Sequence, residues 1–249
     1  MQLTDNTILI TGGGSGIGRG LAEALGKRGN QIIIAGRRKA QLVEVANANP
    51  GMRWVELNIE DPASISAVAR KLIADHPQLN VLINNAGMMQ IDDVSGQVDD
   101  KLIVSTVTTN LMGPVRLTGA LIEHLKKQSH AAVINNSSVL GFVPLAIAAV
   151  YSSTKAAIHS YTLSLRYKLK GTSVEVIELA PPWVQTDLLN SNEEPRAMPL
   201  SDFVTETMAI LGTDADEVLV ERARPVRNNA GPNEGPFVTE FNDMMTSGA

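Results

Sequence analysis

The stretch "TILITGGGSGIGRGLAEAL", residues 7–25, indicates the class of fold. It opens with a short apolar run, rich in β-branched residues, which is typical of a buried strand. A glycine-rich turn follows, and after it Ile17, Leu21, Ala24 and Leu25 fall on one face of a helix. A strand, a glycine turn and a helix in succession predict the first unit of an open α/β sheet.

The same alternation continues along most of the chain. We predict buried strands at 7–11, 31–35, 53–57, 81–84, 131–136 and 173–179. Between them we predict helices over about 17–25, 39–48, 61–75, 99–127 and 150–170, the third beginning at Asp61-Pro62 and the fourth kinked at Gly113-Pro114. Several strands are apolar throughout, as in parallel sheets covered on both faces. The pattern predicts an α/β, doubly wound parallel sheet (Rossmann fold) of six to seven strands, with its ligand beyond the carboxyl ends of the strands.

The pattern weakens after about residue 185. The segment "NSNEEPRAMP", beginning at residue 190, reads as an exposed loop, and we expect a substrate loop at about 186–200. The last twenty residues contain no clear strand, which predicts an irregular or helical C-terminal segment. We find no internal repeat and no linker, so we expect one domain over 1–249.

Composition excludes several classes of function. The chain has 249 residues, 44% of them hydrophobic, and a net charge of -5, which argues against a nucleic-acid partner. It has no cysteine, and its four histidines (His76, His124, His130 and His159) lack metal-ligand spacing, so we predict no metal site. No apolar run approaches the ~20 residues that cross a bilayer. We therefore expect a cytoplasmic protein without a membrane partner.

The glycine turn predicts a phosphate site. Its spacing is G-x-x-x-G-x-G, from Gly12, Gly16 and Gly18. Glycine allows the backbone to approach a phosphate closely, and a helix N-terminus offers unpaired N–H groups and a positive dipole. A plain glycine-rich turn is the structural alternative, but the strand-turn-helix context favours a dinucleotide.

The end of the second strand bears on which dinucleotide binds. An acidic residue there usually binds the ribose hydroxyls of NAD, but this chain has Arg37 and Arg38 after Gly36. Two guanidinium groups suit a 2′-phosphate. We therefore predict NADP as cofactor, with NAD as the alternative; two solvated arginines that cap a helix would look the same.

A second motif predicts proton transfer. Tyr151 and Lys155 are four residues apart on a predicted helix, so they share a face, and Ser138 ends the fifth strand. We expect Lys155, together with a cationic nicotinamide ring, to lower the pKa of Tyr151 from its usual ~10. Tyr151 would then exchange a proton with a substrate oxygen that Ser138 also binds. A tyrosine and a lysine on a helix surface are the alternative explanation.

These motifs together resemble the short-chain dehydrogenase/reductase family, from about Thr7 to Leu189. "TGGGSGIG" matches the family's cofactor loop, "NNAG" (84–87) its motif after strand four, and "PPWVQT" (181–186) its nicotinamide segment. The resemblance implies four catalytic residues, Asn110, Ser138, Tyr151 and Lys155, with Asn110 acting through a water relay. It implies cofactor contacts at Gly12, Gly14, Ser15, Gly16, Ile17, Gly18, Arg37, Arg38, Asn58, Ile59, Asn85, Ala86, Gly87, Tyr151, Lys155, Pro181, Val184 and Thr186.

The chain departs from the family pattern at several points. Ser15 stands where many NADP-preferring members carry a second basic residue, Asn58 replaces an aspartate, and Pro181-Pro182 replaces Pro-Gly. The family's usual seventh strand is not evident. The segments "YSSTKAAIHSYTLSLRYKL" and "ELAPPWVQTDL" are similar to a bacterial subgroup named after the D-alanyl-lipoteichoic-acid operon.

The resemblance implies an oxidoreductase that transfers hydride between NADP(H) and a small-molecule carbonyl or secondary alcohol. A non-catalytic dinucleotide sensor on the same fold is the alternative, whereas a purely structural module leaves the polar residues of the cleft unexplained. Apolar residues beside the motifs indicate a partly apolar substrate, although core packing explains each equally well. They are Met88, Met89, Leu140, Phe142, Trp183 and Leu188.

The helices at 99–127 and 150–170 also predict self-association. Apolar and small residues on these helices extend beyond the single face that would pack on the sheet. They are Ala120, Ala156, Ala157, Ile158, Ser160, Leu163, Ser164, Leu165 and Leu169. Related dehydrogenases pair these helices across a two-fold axis, so we predict a homodimer or a homotetramer. The alternative is a monomer whose C-terminal tail, "FVTEFNDMM", covers the extra apolar positions.

Overall fold

The computed structural model describes residues 1–228, 231 and 233–246, and within them seven strands form one sheet. The strands are β1 Thr7–Thr11, β2 Gln31–Gly36, β3 Arg53–Glu56, β4 Leu79–Asn84, β5 Ala131–Asn136, β6 Val174–Leu179 and β7 Glu217–Val218. Their order is β3-β2-β1-β4-β5-β6-β7, and every pairing is parallel. The predicted doubly wound sheet is confirmed.

Helices cover both faces of this sheet. They are α1 Gly16–Gly26, α2 Lys39–Ala48, α3 Pro62–Asp75, α4 Asp100–Val107, α5 Gly113–Leu125, α6 Ala149–Lys168, α7 Leu200–Leu211, α8 Arg224–Asn228 and α9 Glu234–Thr246. Successive residues of β1 enter different cores: Ile8 and Ile10 pack with α1, whereas Leu9 packs with α3 and α5. Because the central strands β1, β4 and β5 bury nearly all of their residues, the sequence shows continuous apolar runs there instead of alternation, whereas the edge strand β3 is largely exposed.

The sheet reverses direction beside β1. From β1 the chain moves to β2 and β3 on one side, then returns to place β4 on the other side. A reversal of this kind opens a crevice beyond the carboxyl ends of the strands, which is where open α/β sheets bind ligands. The glycine turn follows β1 and therefore lies at this crevice.

Two details of the elements differ from the sequence prediction. A seventh strand is present, although none was evident; Glu217 and Val218 pair with β6, and two residues are too few to produce a recognisable pattern. We expected a kink at Gly113-Pro114. The helix is interrupted instead by a π-helical turn, Thr108–Met112, immediately before these two residues. Pro114 lacks the N–H that would bond the carbonyl of Asn110, and the N–H of Gly113 bonds Thr108 one residue further back than in an α-helix.

The segment after β6 is more ordered than the exposed loop that we predicted. Ser191, Ala197 and Met198 are buried, and Val184 forms an isolated parallel bridge with Met198. The indole of Trp183 donates to the Ser191 hydroxyl at 2.8 Å. The prediction of exposure is therefore wrong for these positions, because contacts with the 183–184 segment bury a stretch that is polar in sequence.

The C-terminal segment is helical where the structure describes it, since α9 runs from Glu234 to Thr246. Of the last twenty residues, 230, 232 and 247–249 lie outside the described part. Among the described residues, no helix combines the length and the apolar character that a membrane-spanning segment requires.

Candidate active site

The glycine turn forms a cradle at the N-terminus of α1. Gly12 has a φ of +68°, and a Cβ there would come within 2.9 Å of the Asn85 side chain. Gly16 has a φ of +50° and lies against Thr186, whose Cγ2 would be 3.3 Å from an added Cβ. Ser15 precedes the helix without a side-chain capping bond, so its hydroxyl does not satisfy the first N–H groups of α1. The turn has the features of an anion site: close backbone and unpaired donors.

The NNAG segment is fixed to the end of β1. The Thr11 hydroxyl accepts from the backbone N–H groups of Asn85 and Ala86, both at 3.0 Å. The Asn85 side chain donates to the Thr11 carbonyl at 3.0 Å and accepts from Asn136 at 2.8 Å. Three neighbouring strand ends are thereby held together, and Gly87 lies beside Asn110 and the Lys155 ammonium.

The two arginines after β2 have different partners. Arg37 forms an ion pair of 2.6 Å with Glu60, which also accepts from the Thr109 hydroxyl at 3.0 Å. Arg38 instead donates to the hydroxyl of Ser15 in the glycine turn at 2.9 Å. Arg38 is therefore the guanidinium that contacts the phosphate cradle directly, and Glu60 is a neighbour that the sequence analysis missed.

Ser138, Tyr151 and Lys155 meet beyond the end of β5. Lys155 is only 4% exposed, and its ammonium donates to the carbonyl of Asn136 at 2.8 Å. The same ammonium lies 5.4 Å from the centre of the Tyr151 ring. The Ser138 hydroxyl lies near the Tyr151 hydroxyl and lowers its pKa, and it accepts from the N–H of Leu140 at 3.1 Å. Residues 13 positions apart in sequence are thus in contact, because β5 ends beside the first turn of α6.

Burial controls the ionisation of this group. Burial raises the pKa of the Tyr151 hydroxyl above its usual value, and the neighbouring Ser138 hydroxyl offsets only part of that effect. The expected lowering of the Tyr151 pKa is therefore absent from the protein by itself, because desolvation of the phenolate dominates. Burial also lowers the pKa of Lys155 to about 8, and the negative charge of Glu178 opposes that shift.

Asn110 lies in the π-helical turn and joins two segments of the site. Its side chain exchanges hydrogen bonds with the backbone of Met88, at 2.8 and 2.9 Å, and donates to the Thr154 hydroxyl at 3.2 Å. Asn110 thus links the segment after β4 to α6 close to Tyr151 and Lys155. Three hydrogen bonds to two residues hold this side chain in a single orientation.

The remaining predicted cofactor residues lie at the same edge of the sheet. Asn58 and Ile59 follow β3, and the Asn58 side chain accepts from the N–H of Glu60 at 3.2 Å. Pro181, Val184 and Thr186 follow β6. The other predicted contacts lie in the glycine turn or begin α1, namely Gly12, Gly14, Ser15, Gly16, Ile17 and Gly18. The structure therefore gathers all of the predicted residues around one crevice.

One side of Tyr151 faces an apolar group of residues that the sequence analysis largely missed. Here the tyrosine cluster denotes Val143, Leu145, Ala148, Tyr151 and Phe241, with Met89, Leu140, Phe237, Val238 and Met245 packed around it. Helix α9 is held there by Asn242, which accepts from the N–H of Ala146 and donates to the carbonyl of Pro144 at 3.0 Å. Phe142 lies instead edge-on to His159, and Leu188 is partly exposed.

Asp92 is a second residue that the sequence analysis missed. It is buried in the segment after β4, and its two carboxylate oxygens accept from the N–H groups of Ala149 and Val150, at 3.1 and 3.0 Å. Ala148, which precedes α6, makes no side-chain cap of its own. Asp92 therefore closes the first turn of the helix that carries Tyr151. No local signal marks it, because it lies 57 residues before Ala149.

His159, Glu178 and Glu217 bring potential ligand atoms within 4.8 Å of one another, a grouping that sequence spacing did not indicate. Each already has a protein partner. His159 Nδ1 lies 2.7 Å from Glu178, and Glu217 receives two bonds of 3.1 Å from Arg227. Because these side chains already hydrogen-bond to protein groups, we assign no metal to the group.

Comparison with known proteins gives a consistent picture. A family model described as "short chain dehydrogenase" matches residues 6–197. "Uncharacterized oxidoreductase DltE" of Bacillus subtilis (strain 168) is 37% identical over 234 residues, covering 92% of this chain and 93% of that protein. The crystal structure of a short chain dehydrogenase from Burkholderia cenocepacia J2315 in complex with NADP is similar, with a TM-score of 0.85 and 26% identity over 96% of this chain and 98% of that one. The 3-ketoacyl-(acyl-carrier-protein) reductase from Brucella melitensis, complexed with NADH, has a TM-score of 0.78 and 27% identity over 86% and 93%.

Proposed function

Because this chain belongs to the short-chain dehydrogenase family, we propose that it is an NADP(H)-dependent oxidoreductase acting on a carbonyl or secondary alcohol. The observation that carries the proposal is the buried contact of Ser138, Tyr151 and Lys155 at the crevice beside the glycine cradle. When bound, a nicotinamide dinucleotide supplies hydride for carbonyl reduction or accepts it in alcohol oxidation.

Tyr151 is the proton donor in the proposed reduction and the acceptor in oxidation. Its raised pKa keeps the hydroxyl protonated at neutral pH, which suits a donor to a developing alkoxide. Ser138 positions the same substrate oxygen, since its side chain lies beside the tyrosine hydroxyl. The Lys155 ammonium, 5.4 Å from the ring centre, favours the phenolate that remains after transfer.

The preference for NADP rests on the arginines after β2 and on the absence of an acid there. The hydrogen bond of Arg38 to Ser15 in the cradle supports a role for its guanidinium in binding a 2′-phosphate. The positive charge of Arg37 is partly compensated by its ion pair with Glu60. NAD is the alternative cofactor.

The substrate is proposed to be a small molecule with an apolar part next to its carbonyl. The support is the tyrosine cluster, in which Phe241 of α9 and the neighbouring Met89 and Leu140 pack around the ring of Tyr151. A polar group in such surroundings would lose hydration without gaining a partner. The cytoplasm stays the predicted location of the reaction.

The competing function is a dinucleotide sensor without catalysis. Burying the Lys155 ammonium carries a desolvation cost, which its lowered pKa reflects. A sensor has no use for a buried ammonium at this position, whereas an enzyme uses its positive charge to stabilise the Tyr151 phenolate. We therefore favour the enzyme.

A screen of the purified protein with NADPH against aldehydes, ketones and quinones tests the proposal. We expect NADPH oxidation with at least one apolar carbonyl, and none above background with the Tyr151→Phe variant. NADPH binding without turnover across the panel would favour the sensor.

A further inference from the structure

A buried carboxylate lies behind the catalytic residues and has no part in the reaction described above. Glu178 belongs to β6 and is completely buried. Its Oε1 accepts from the Ser137 hydroxyl at 2.5 Å, and its Oε2 lies 2.7 Å from Nδ1 of His159. An ionised carboxylate is rarely buried without a compensating charge, so its counter-charge needs to be identified.

The two partners of Glu178 belong to the segments that carry the catalytic residues. Ser137 directly precedes Ser138, and its N–H bonds the carbonyl of Leu179 in β6. His159 lies one helical turn beyond Lys155 on α6, so the two side chains share a face. The carboxylate therefore lies between the end of β5 and the catalytic helix.

The titratable groups around Glu178 come from three elements: Lys155 and His159 of α6, Glu217 of β7, and Arg227 of α8. Arg227 is largely neutralised, because it makes two hydrogen bonds of 3.1 Å with Glu217. Lys155 is deeply buried, and its hydrogen bond to the Asn136 carbonyl supplies no negative charge. Lys155 is thus a buried cation in need of a counter-charge.

We infer that Glu178 is the buried counter-charge that keeps the Lys155 ammonium protonated, and that Ser137 and His159 hold the carboxylate in place. Glu178 is a positioning residue in this scheme, since it acts on the reaction only through Lys155. The consequence for catalysis rests on the proposed function, whereas the coupling of the two charges does not.

The sign of the effect follows from the charges. Burial lowers the pKa of Lys155 to about 8, and Glu178 works against that lowering. Removing the negative charge leaves burial unopposed, so the pKa of Lys155 falls further. An opposite charge at short range typically shifts a pKa by about 1–3 units, so we expect a fall of about one unit.

Direct titration of Lys155 tests the coupling without substrate or cofactor. The ¹³Cε signal of Lys155, identified by its loss in Lys155→Met, is followed against pH in the full-length wild type and in Glu178→Gln. We expect the midpoint of Glu178→Gln to lie about one pH unit below that of the wild type. Glu175→Gln is the matched control on the same strand, where Glu175 pairs with the amino terminus; its midpoint should match the wild type. Equal midpoints for Glu178→Gln and wild type would overturn the inference.

A second variant decides the question even if Glu178→Gln does not fold. His159→Asn keeps a donor beside Glu178 and removes the titratable ring. We expect the Lys155 midpoint to stay where it is in the wild type. A clear rise would overturn the inference, since it would identify Glu178 as the counter-charge of a protonated His159.

The pH profile of turnover tests the catalytic consequence. The alkaline limb of kcat/KM should move to lower pH in Glu178→Gln by the same interval as the Lys155 signal, and Glu178→Asp should restore it. If the alkaline limb of kcat/KM stays in place while the midpoint of the Lys155 titration moves, Glu178 affects the charge of Lys155 but not catalysis. If the wild type turns over no substrate, the proposed function fails, but the NMR titration still decides the charge coupling.

Discussion

The guanidinium of Arg37 and the carboxylate of Glu60 form an ion pair of 2.6 Å at the carboxyl edge of the sheet. Arg38, the next residue, turns instead to Ser15 in the glycine cradle. Two arginines that are equivalent in sequence are therefore electrostatically different. The Arg37 pair is largely exposed, and such pairs contribute about 0–1 kcal/mol, so a bound phosphate can compete with Glu60 for Arg37.

We predict tighter binding of NADP(H) than of NAD(H). Losing one guanidinium–phosphate contact costs about 1.5–3 kcal/mol, roughly ten- to a hundredfold in affinity. Calorimetric titration of wild type, Arg37→Asp and Arg38→Ala with both cofactors measures this. Glu60→Gln, which frees Arg37, should bind NADP(H) slightly more tightly and NAD(H) as before. Tighter NAD binding by the wild type would contradict the prediction.

Tyr151→Phe is expected to abolish turnover and to leave cofactor affinity nearly unchanged. The ring and its packing in the tyrosine cluster survive, but the transferable proton is lost. Tyr161→Phe is the matched control, because Tyr161 lies on the same helix and its hydroxyl lies near Thr118 instead of Ser138. More than a few per cent of wild-type kcat in Tyr151→Phe would refute the proton-transfer role.

Asp92→Ala is predicted to destabilise the protein by about 1–2 kcal/mol, the usual cost of losing a helix cap, and to lower kcat. The carboxylate holds the first turn of α6, which contains Tyr151. Thermal unfolding and steady-state kinetics measure the two effects. Asp93→Ala is the control, since the Asp93 carboxylate accepts from Ser95, two residues away, and not from α6. Equal stability and kcat in the two variants would rule out the capping role.

The segment at about 186–200 is predicted to close over bound cofactor. It follows the nicotinamide segment, and Leu189 and Asn190 both have a φ of +53°, a conformation that is unfavourable for these residues. Hydrogen exchange in this segment should slow when NADPH is added. Unchanged exchange there, with protection elsewhere, would show that the segment does not close.

We predict a homodimer, or a tetramer built from it, through the outer faces of α4, α5 and α6. Leu163 is 44% exposed and Tyr167 68% exposed on α6, and Val104 is exposed on α4. The alternative cover by the C-terminal tail is contradicted for the described residues, because α9 packs on the tyrosine cluster instead. Light scattering behind a sizing column should give at least twice 26.6 kDa. A single-chain mass at micromolar concentration would exclude the dimer.

The sequence predicted the features that depend on near neighbours. The apolar runs gave the strands of the sheet, apart from β7, which has only two residues. Asp61 and Pro62 marked the start of α3, where the Asp61 carboxylate does accept from the N–H of Ala63. Tyr151 and Lys155 share a helical face because four residues make about one turn. Local backbone geometry determines each of these, so a short stretch of sequence contains the information.

Only the tertiary structure decided which distant groups meet. Glu60 reaches Arg37 because β2 and β3 end side by side, Asp92 reaches α6 from 57 residues away, and Asn242 fixes α9 to the turn before that helix. In the protein without cofactor, burial raises the pKa of Tyr151, and this desolvation depends on everything packed around the ring. The order of strands and the depth of burial are properties of the whole chain. They determine the partners and the pKa of a group, and no local pattern of residues records them.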